Sequence, residues 1–280
     1  MTTRAEQGQG AKQPHSYEEF TRRPFYIGIN RETIRLVKKP VKYAVDIATG
    51  TGAMITQMLE QGLLIRDFQV RGYDIDESAL KAAKSAFRNF DGQMLFINAP
   101  AENIPLKNGW AQLVTFANAI HLTDAPAATR ESARIMDYGA TLLINTAYET
   151  THAYPEKSAH SWGILTALAR KAARENHGLN DIPNPVPLRQ YSVDDYVNML
   201  VSAGLSDIEV YFHTAQMDKE DVKAICRYDE FARIALPDVE LDLAKDLLVG
   251  AVEPMLERRK SDTIPRGWTI FKARKLPKAT

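Results

Sequence analysis

Gly50 and Gly52 stand two apart in the stretch VDIATGTGAM, between an apolar run and a helix-forming one. Glycine reaches positive φ and lets a bound molecule touch the backbone. The first N–H groups of a following helix can face a carboxylate or phosphate. The stretch is therefore a candidate ligand loop. A second group with chemical potential is His121 in ANAIHLTD, an imidazole able to take a proton near neutral pH if it is not simply packed in place. A third is the cluster His152, Tyr154, His160 and Trp162, which either lines a pocket or packs a helix onto a sheet. The spacing of its histidines fits no metal-ligand motif and HExxH does not occur, so no metal is expected.

These groups need a frame. KYAVDIA reads as a strand, TGTG as a turn and AMITQMLEQGLL as a helix with one apolar face. The alternation continues with FQVRGYDI as strand, DESALKAAKSAFRNF as a helix capped by Asp76, and QMLFINAPA as strand. AQLVTFAN and ATLLINTAYE are strands on either side of a helix that opens at Asp124 and Pro126. Such alternation predicts a mostly parallel sheet covered on both faces, of doubly wound α/β class. A glycine loop after the first strand then lies at the carboxyl edge, where ligands bind in such sheets.

Around this frame, YEEFTRRPFYIGINRETIRLVKK reads as an amino-terminal helical layer ending at Pro40. Residues from about 150 to 190 read as a cap insertion containing a helix and a proline-rich loop. SVDDYVNMLVSAGL is a helix with Ser192 as N-cap and DIEVYFHTAQM a strand. Residues from about 218 to 263 are largely helical, forming a second cap wall or a dimer surface, and GWTIFKARK is a last strand. With no internal repeat or linker, the expected organisation is a helical lid over residues 1–40 and one domain over 41–280.

The dinucleotide fingerprint GxGxxG would need a glycine where Ile55 stands, and no GxxxxGK[ST] occurs. The loop instead resembles motif I of the class I S-adenosylmethionine-dependent methyltransferases, with Asp46, Ala48, Gly50 and Gly52 in the places of an acid and three alternating glycines. Ala48 replaces the first glycine. The resemblance extends to RGYDIDESAL, which implies that Asp74 holds the ribose hydroxyls and Ile75 lies on the adenine. In NAPAENIP, Pro100 stands where an adenine-binding acid is usual, which leaves the backbone N–H of Ala101 to address the ring; Glu102 either compensates or faces solvent. Gln112 replaces an aspartate that often opens strand four, and Asn118 is placed at the methionine end of the cofactor. The Asn-Pro-Pro-Tyr form used on exocyclic amines is absent.

The resemblance implies a seven-stranded sheet, S-adenosyl-L-methionine as cofactor and S-adenosyl-L-homocysteine as product. The expected acceptor is a small, partly apolar molecule, a secondary metabolite, quinone or lipid, methylated on oxygen or carbon. The alternatives are a relative with non-methylating chemistry, such as a cyclase or decarboxylase, and a binding protein without turnover. Tyr17, Phe20, Phe25 and Tyr26 are candidates for the lid, Tyr26 also for the substrate pocket, and His121 for the base.

Lys plus Arg equals Asp plus Glu at 35 each, which gives no bulk field to gather nucleic acid. Arg258, Arg259, Lys260, Arg266, Lys272, Arg274, Lys275 and Lys278 form a basic carboxyl end that reads as solvated surface. The single Cys226 reads as a helix residue of a reducing, cytoplasmic protein. The amino terminus lacks the apolar core of a secretion signal, and no run approaches the ~20 residues of a membrane span. No stable membrane insertion is expected, and a homodimer is possible.

Overall fold

The computed structural model describes residues 16–90, 92–185 and 189–277. The first dozen residues and Lys278 lie outside them, as does the side chain of Tyr17. Two helices come first, α1 (Ser16–Thr21) and α2 (Pro24–Arg35), the second with proline in its first turn. Then follow β1 (Val41–Ile47), α3 (Ala53–Glu60), β2 (Leu64–Asp74), α4 (Glu77–Ala86), β3 (Met94–Asn98), β4 (Ala111–Ala117), α5 (Ala125–Ile135) and β5 (Met136–Thr146). The remainder is α6 (Ser158–His177), α7 (Val193–Ser202), β6 (Ser206–Met217), α8 (Lys219–Cys226), α9 (Asp229–Ala235), α10 (Leu241–Gly250), α11 (Val252–Arg259) and β7 (Ile264–Arg274).

The strands form one seven-stranded sheet in the order β3-β2-β1-β4-β5-β7-β6. Pairings from β3 to β5 are parallel, and β7 runs antiparallel to both β5 and β6. Both faces are covered, and alternation along β5 shows how: Leu142 and Ile144 pack with α5 and α7, while Leu143 faces the core beneath α2, α3 and α4. A further core holds α2, α6 and α8 to α11 against the ends of β6 and β7.

Local chemistry fixes the helix starts. The Asp76 carboxylate accepts the N–H groups of Ser78 and Ala79, that of Asp124 accepts Ala127 N–H, and Ser192 with Asp195 forms a capping box. Gln112 braces the sheet, because its Oε1 accepts Lys42 N–H at 2.8 Å where the register of β1 shifts. The strand order reverses at β1 and β4, so the carboxyl ends of β1, β2 and β4 meet at the crevice where open α/β sheets bind ligands.

Candidate active site

The loop after β1 is built inward from Asp46. Its carboxylate is buried and accepts hydroxyls from Thr49 and Thr115, each at 2.7 Å. Burial raises this carboxyl to about 7 against the pull of those two hydroxyls, with the Asp74 charge raising it further. Asp46 thus shapes the loop from below. Ala48, Gly50 and Gly52 follow at φ 51°, 52° and 88°. A Cβ at Gly52 would lie 2.3 Å from the Phe87 ring, so glycine is required there by packing as well as by backbone. Ala48 carries its methyl group in the left-handed region, a cost of roughly 1–2 kcal/mol.

Asp74 closes the loop from the neighbouring strand. Its Oδ2 accepts Gly50 N–H at 2.7 Å and its Oδ1 accepts Asp76 N–H at 2.9 Å. Burial raises its pKa, and these backbone donors partly offset the rise. Each oxygen keeps a further lone pair for a ligand hydroxyl. Beside it Ile75 is 73% exposed, an aliphatic surface suited to a planar apolar base. A partly open carboxylate next to an exposed aliphatic, at the mouth of a positive-φ loop, fits the ribose and adenine of S-adenosylmethionine.

Farther round the edge, the Glu102 carboxylate accepts Asp124 N–H at 2.8 Å and so braces the start of α5, while Ala101 is buried next to it. Asn118, at φ 48°, accepts Ala147 N–H on Oδ1 at 3.0 Å and ties the end of β4 to that of β5. A cavity of about 450 Å³ begins there. His121, Tyr148, Tyr154, Trp162, Phe231 and Trp268 are among its walls, and Asn118 and Phe20 border it.

His121 is 7% exposed and stacks on Tyr148 with ring centroids 3.8 Å apart. Burial, with the Arg266 charge in second place, lowers its pKa to about 3. At that value the imidazole is neutral throughout the neutral range and a weaker base than a free one. Its Nδ1 is buried without a partner, and so are Nε1 of Trp162 and Nε1 of Trp268. All three residues line this cavity, and unpaired buried polar groups of that kind ask for a ligand or water.

The aromatic and imidazole cluster divides. Tyr154 and Trp162 line the cavity, whereas His152 stacks on Phe212 at 3.6 Å and meets the Glu149 carboxylate at 3.0 Å, and His160 is exposed on α6. Their positions have simple causes: Glu149 is fully buried and gathers the N–H groups of Thr151 and His152, which turns the His152 ring outward. Tyr26 is 2% exposed and packs behind Phe20 and Phe25, backing the cavity wall without lining it. Arg266 also differs from expectation. It is 6% exposed and lines the cavity, whereas Lys272 pairs with Glu209 at 2.6 Å and Arg274 with Asp207 at 3.7 Å at the surface. The period-two run Arg266, Trp268, Ile270 on β7 carried that signal, since alternate strand residues share a face.

Residues 44–139 match the family model described as a methyltransferase domain. No curated protein matches the chain. Among solved structures, the fold is similar to that of a Bacillus halodurans C-125 protein described as a candidate methyltransferase, at 18% identity over 89% of this chain and 100% of the other, TM-score 0.55. It is similar to Haemonchus contortus phosphoethanolamine N-methyltransferase 2, in complex with phosphomonomethylethanolamine and S-adenosylhomocysteine, at 17% identity over 94% of this chain and 56% of the other, TM-score 0.57. A further similarity is to the 4+2 cyclase SpnF, at 14% identity over 90% and 82% of the two chains, TM-score 0.54. Residues 44–139 thus form a methyltransferase domain, and the chain as a whole has the seven-stranded α/β fold of the solved methyltransferases it is similar to.

Proposed function

We propose that the chain moves the methyl group of S-adenosylmethionine to an oxygen or carbon of a small, partly apolar molecule held in the cavity that begins at Asn118. The observation that carries this reading is the placement of that cavity: about 450 Å³, with eight aromatic or imidazole rings among its walls, and opening beside the end of β4 where the cofactor's methionine end is expected. The volume suits a single small molecule. In this reading Asp74 takes the ribose hydroxyls, Ile75 and the Ala101 backbone address the adenine, and Gly50 with Asn118 borders the methionine end.

The bound cofactor supplies an electrophilic methyl group on a sulfonium. What the chain contributes is position and dryness, which can supply roughly 7–11 kcal/mol in well-oriented reactions. Two features serve this. The cavity is roofed by α6, α8 and α9, whose Trp162, Ile225 and Phe231 exclude water. The amino-terminal layer is tied to the same roof, with Arg23 donating to Asp221 at 2.6 Å and Arg227 to Glu19 at 2.6 Å. Phe20 from α1 reaches the cavity wall, so α1 and α2 serve as a lid. A neutral His121 hydrogen-bonds the acceptor and orients it, and the acceptor atom must already be electron-rich.

The test is transfer of label from S-adenosylmethionine carrying a tritiated methyl group into planar phenols and quinols, with wild type and Thr166→Phe, which places a ring in the cavity from α6. Labelled product from wild type, its loss in Thr166→Phe and unchanged binding of S-adenosylhomocysteine support the assignment. Unchanged turnover in the filled variant would place the acceptor elsewhere. The likeness to SpnF, described as a 4+2 cyclase, favours one second reading, in which the cofactor is bound but no methyl moves. Tight cofactor binding with a rearranged, unlabelled product would select it.

A further inference from the structure

The acceptor cavity contains one feature that apolar recognition does not explain. Arg266, at the start of β7, has its guanidinium 4.1 Å from the Tyr154 ring centroid and 5.2 Å from that of Tyr148. One terminal nitrogen donates to the Ala147 carbonyl at 2.6 Å. Among the described residues no carboxylate lies within ion-pair distance of it, although it is 6% exposed. A charge buried to that degree is normally paired, because desolvation is otherwise uncompensated. Arg134 pairs with Glu131 at 2.7 Å and Arg23 with Asp221 at 2.6 Å, whereas Arg71, Arg170 and Arg259, all more exposed than Arg266, bond to neutral acceptors.

The surroundings of Arg266 specify the missing partner. The rings of Tyr148 and Tyr154 hold the guanidinium plane, leaving the edge of its fork as the binding element. Trp162 and Trp268 add two indole N–H donors without partners in the same cavity, and Trp268 lies two residues from Arg266 on one strand face. The wall is therefore rich in donors. Among the described lining residues Arg266 is the one fixed cation and Glu230 the one carboxylate, beyond ion-pair distance of the guanidinium, and His121 is neutral, so the fork suits one negative charge rather than two, on the side away from Glu230.

We propose that Arg266 binds a carboxylate of the acceptor, whose substrate class is a planar, aromatic or similarly apolar monocarboxylic acid. The carboxylate meets the guanidinium fork at the β7 end of the cavity, and the apolar body lies among Trp162, Phe231 and Tyr148 with its far end toward Asn118. This rests on the cavity being the acceptor site of the methyltransferase.

The experiment is calorimetric titration of the full chain, saturated with S-adenosylhomocysteine, with benzoate, 2-naphthoate and 4-hydroxycinnamate, with their neutral methyl esters, and with phenyl phosphate. At least one acid is expected to bind at least tenfold more tightly than its ester. Arg266→Met should abolish that preference, and Arg266→Lys should keep part of it, with the affinity for S-adenosylhomocysteine unchanged in both. Equal binding of acids and esters by wild type, or binding of neither, overturns the proposal without any variant. Tighter binding of phenyl phosphate than of benzoate overturns the choice of carboxylate. A tenfold loss of S-adenosylhomocysteine affinity in folded Arg266→Met would assign the guanidinium to the cofactor's own carboxylate instead. Should wild type bind no S-adenosylhomocysteine, the methyltransferase reading fails separately, and the acid and ester comparison on the free chain still reads the guanidinium.

Discussion

Asp46 is a carboxyl group whose folded state holds a proton more tightly than the unfolded chain does. Burial puts it at about 7, against the usual value near 4. Its contribution to stability is therefore most favourable at low pH. It declines as pH rises from about 4 to about 7, at up to ~1.4 kcal/mol per unit, and is level above that. Asp46→Asn can accept from one threonine and donate to the other, so it keeps the loop and removes the titration. Urea denaturation across pH 4 to 8 is expected to show wild type losing about 4 kcal/mol relative to Asp46→Asn over that window. A difference independent of pH would mean that the carboxylate is not desolvated as the loop geometry requires. His121 has the opposite sense. Burial lowers it to about 3, so it is neutral throughout the neutral range and contributes no acid limb near 6.5 to the rate. His121→Asn should lower kcat by less than about tenfold. A loss of a hundredfold or more, in the ~10²–10⁴ range of general-base removal, would restore the imidazole as the base.

At the scale of elements, the cavity depends on the crossing of the segment after β5 over β7. Gly267 donates its N–H to the Ala153 carbonyl at 3.1 Å, and a Cβ there would stand 1.7 Å from the His152 carbonyl oxygen. Gly267→Ala must push the two backbones apart, at a cost of about 3 kcal/mol or more. The expected outcome is a clear drop in melting temperature, with weaker acceptor binding, because the same crossing holds Tyr154 against Arg266. A melting temperature unchanged to within about a degree would show that the crossing is soft. This is also where sequence reading reached its limit. Strand and helix order from Val41 to Thr146 was legible because apolar runs, turn glycines and caps such as Asp76 and Asp124 are local signals. The inner and outer faces of the insertion were not, because they depend on contacts between distant segments. His152 turns outward through buried Glu149, and Arg266 turns inward on a strand read from its charges as surface. The long helical tract before β7 is four short helices, α8 to α11, and its apolar positions alone did not mark the breaks.

At the scale of the whole molecule, the sheet divides the work. The half built from β1 to β4 presents a loop, a carboxylate and an exposed isoleucine at one edge. The half built from β5 to β7 carries the ring-lined cavity and its helical roof. Among the described residues no helix is long and apolar enough to cross a membrane. The two halves meet at Ala147, whose N–H goes to Asn118 and whose carbonyl accepts from Arg266. The proposed cofactor edge and the proposed acceptor cavity are thus joined through one peptide segment, which sets their relative position. The most direct measurement is calorimetric titration of wild type and Asp74→Ala with S-adenosylhomocysteine, which needs no acceptor. Micromolar binding to wild type, weakened at least tenfold by Asp74→Ala with the fold intact, is the predicted result. Absence of binding to wild type, or equal binding by both proteins, would contradict the placement of the cofactor on the loop between Asp46 and Asp74.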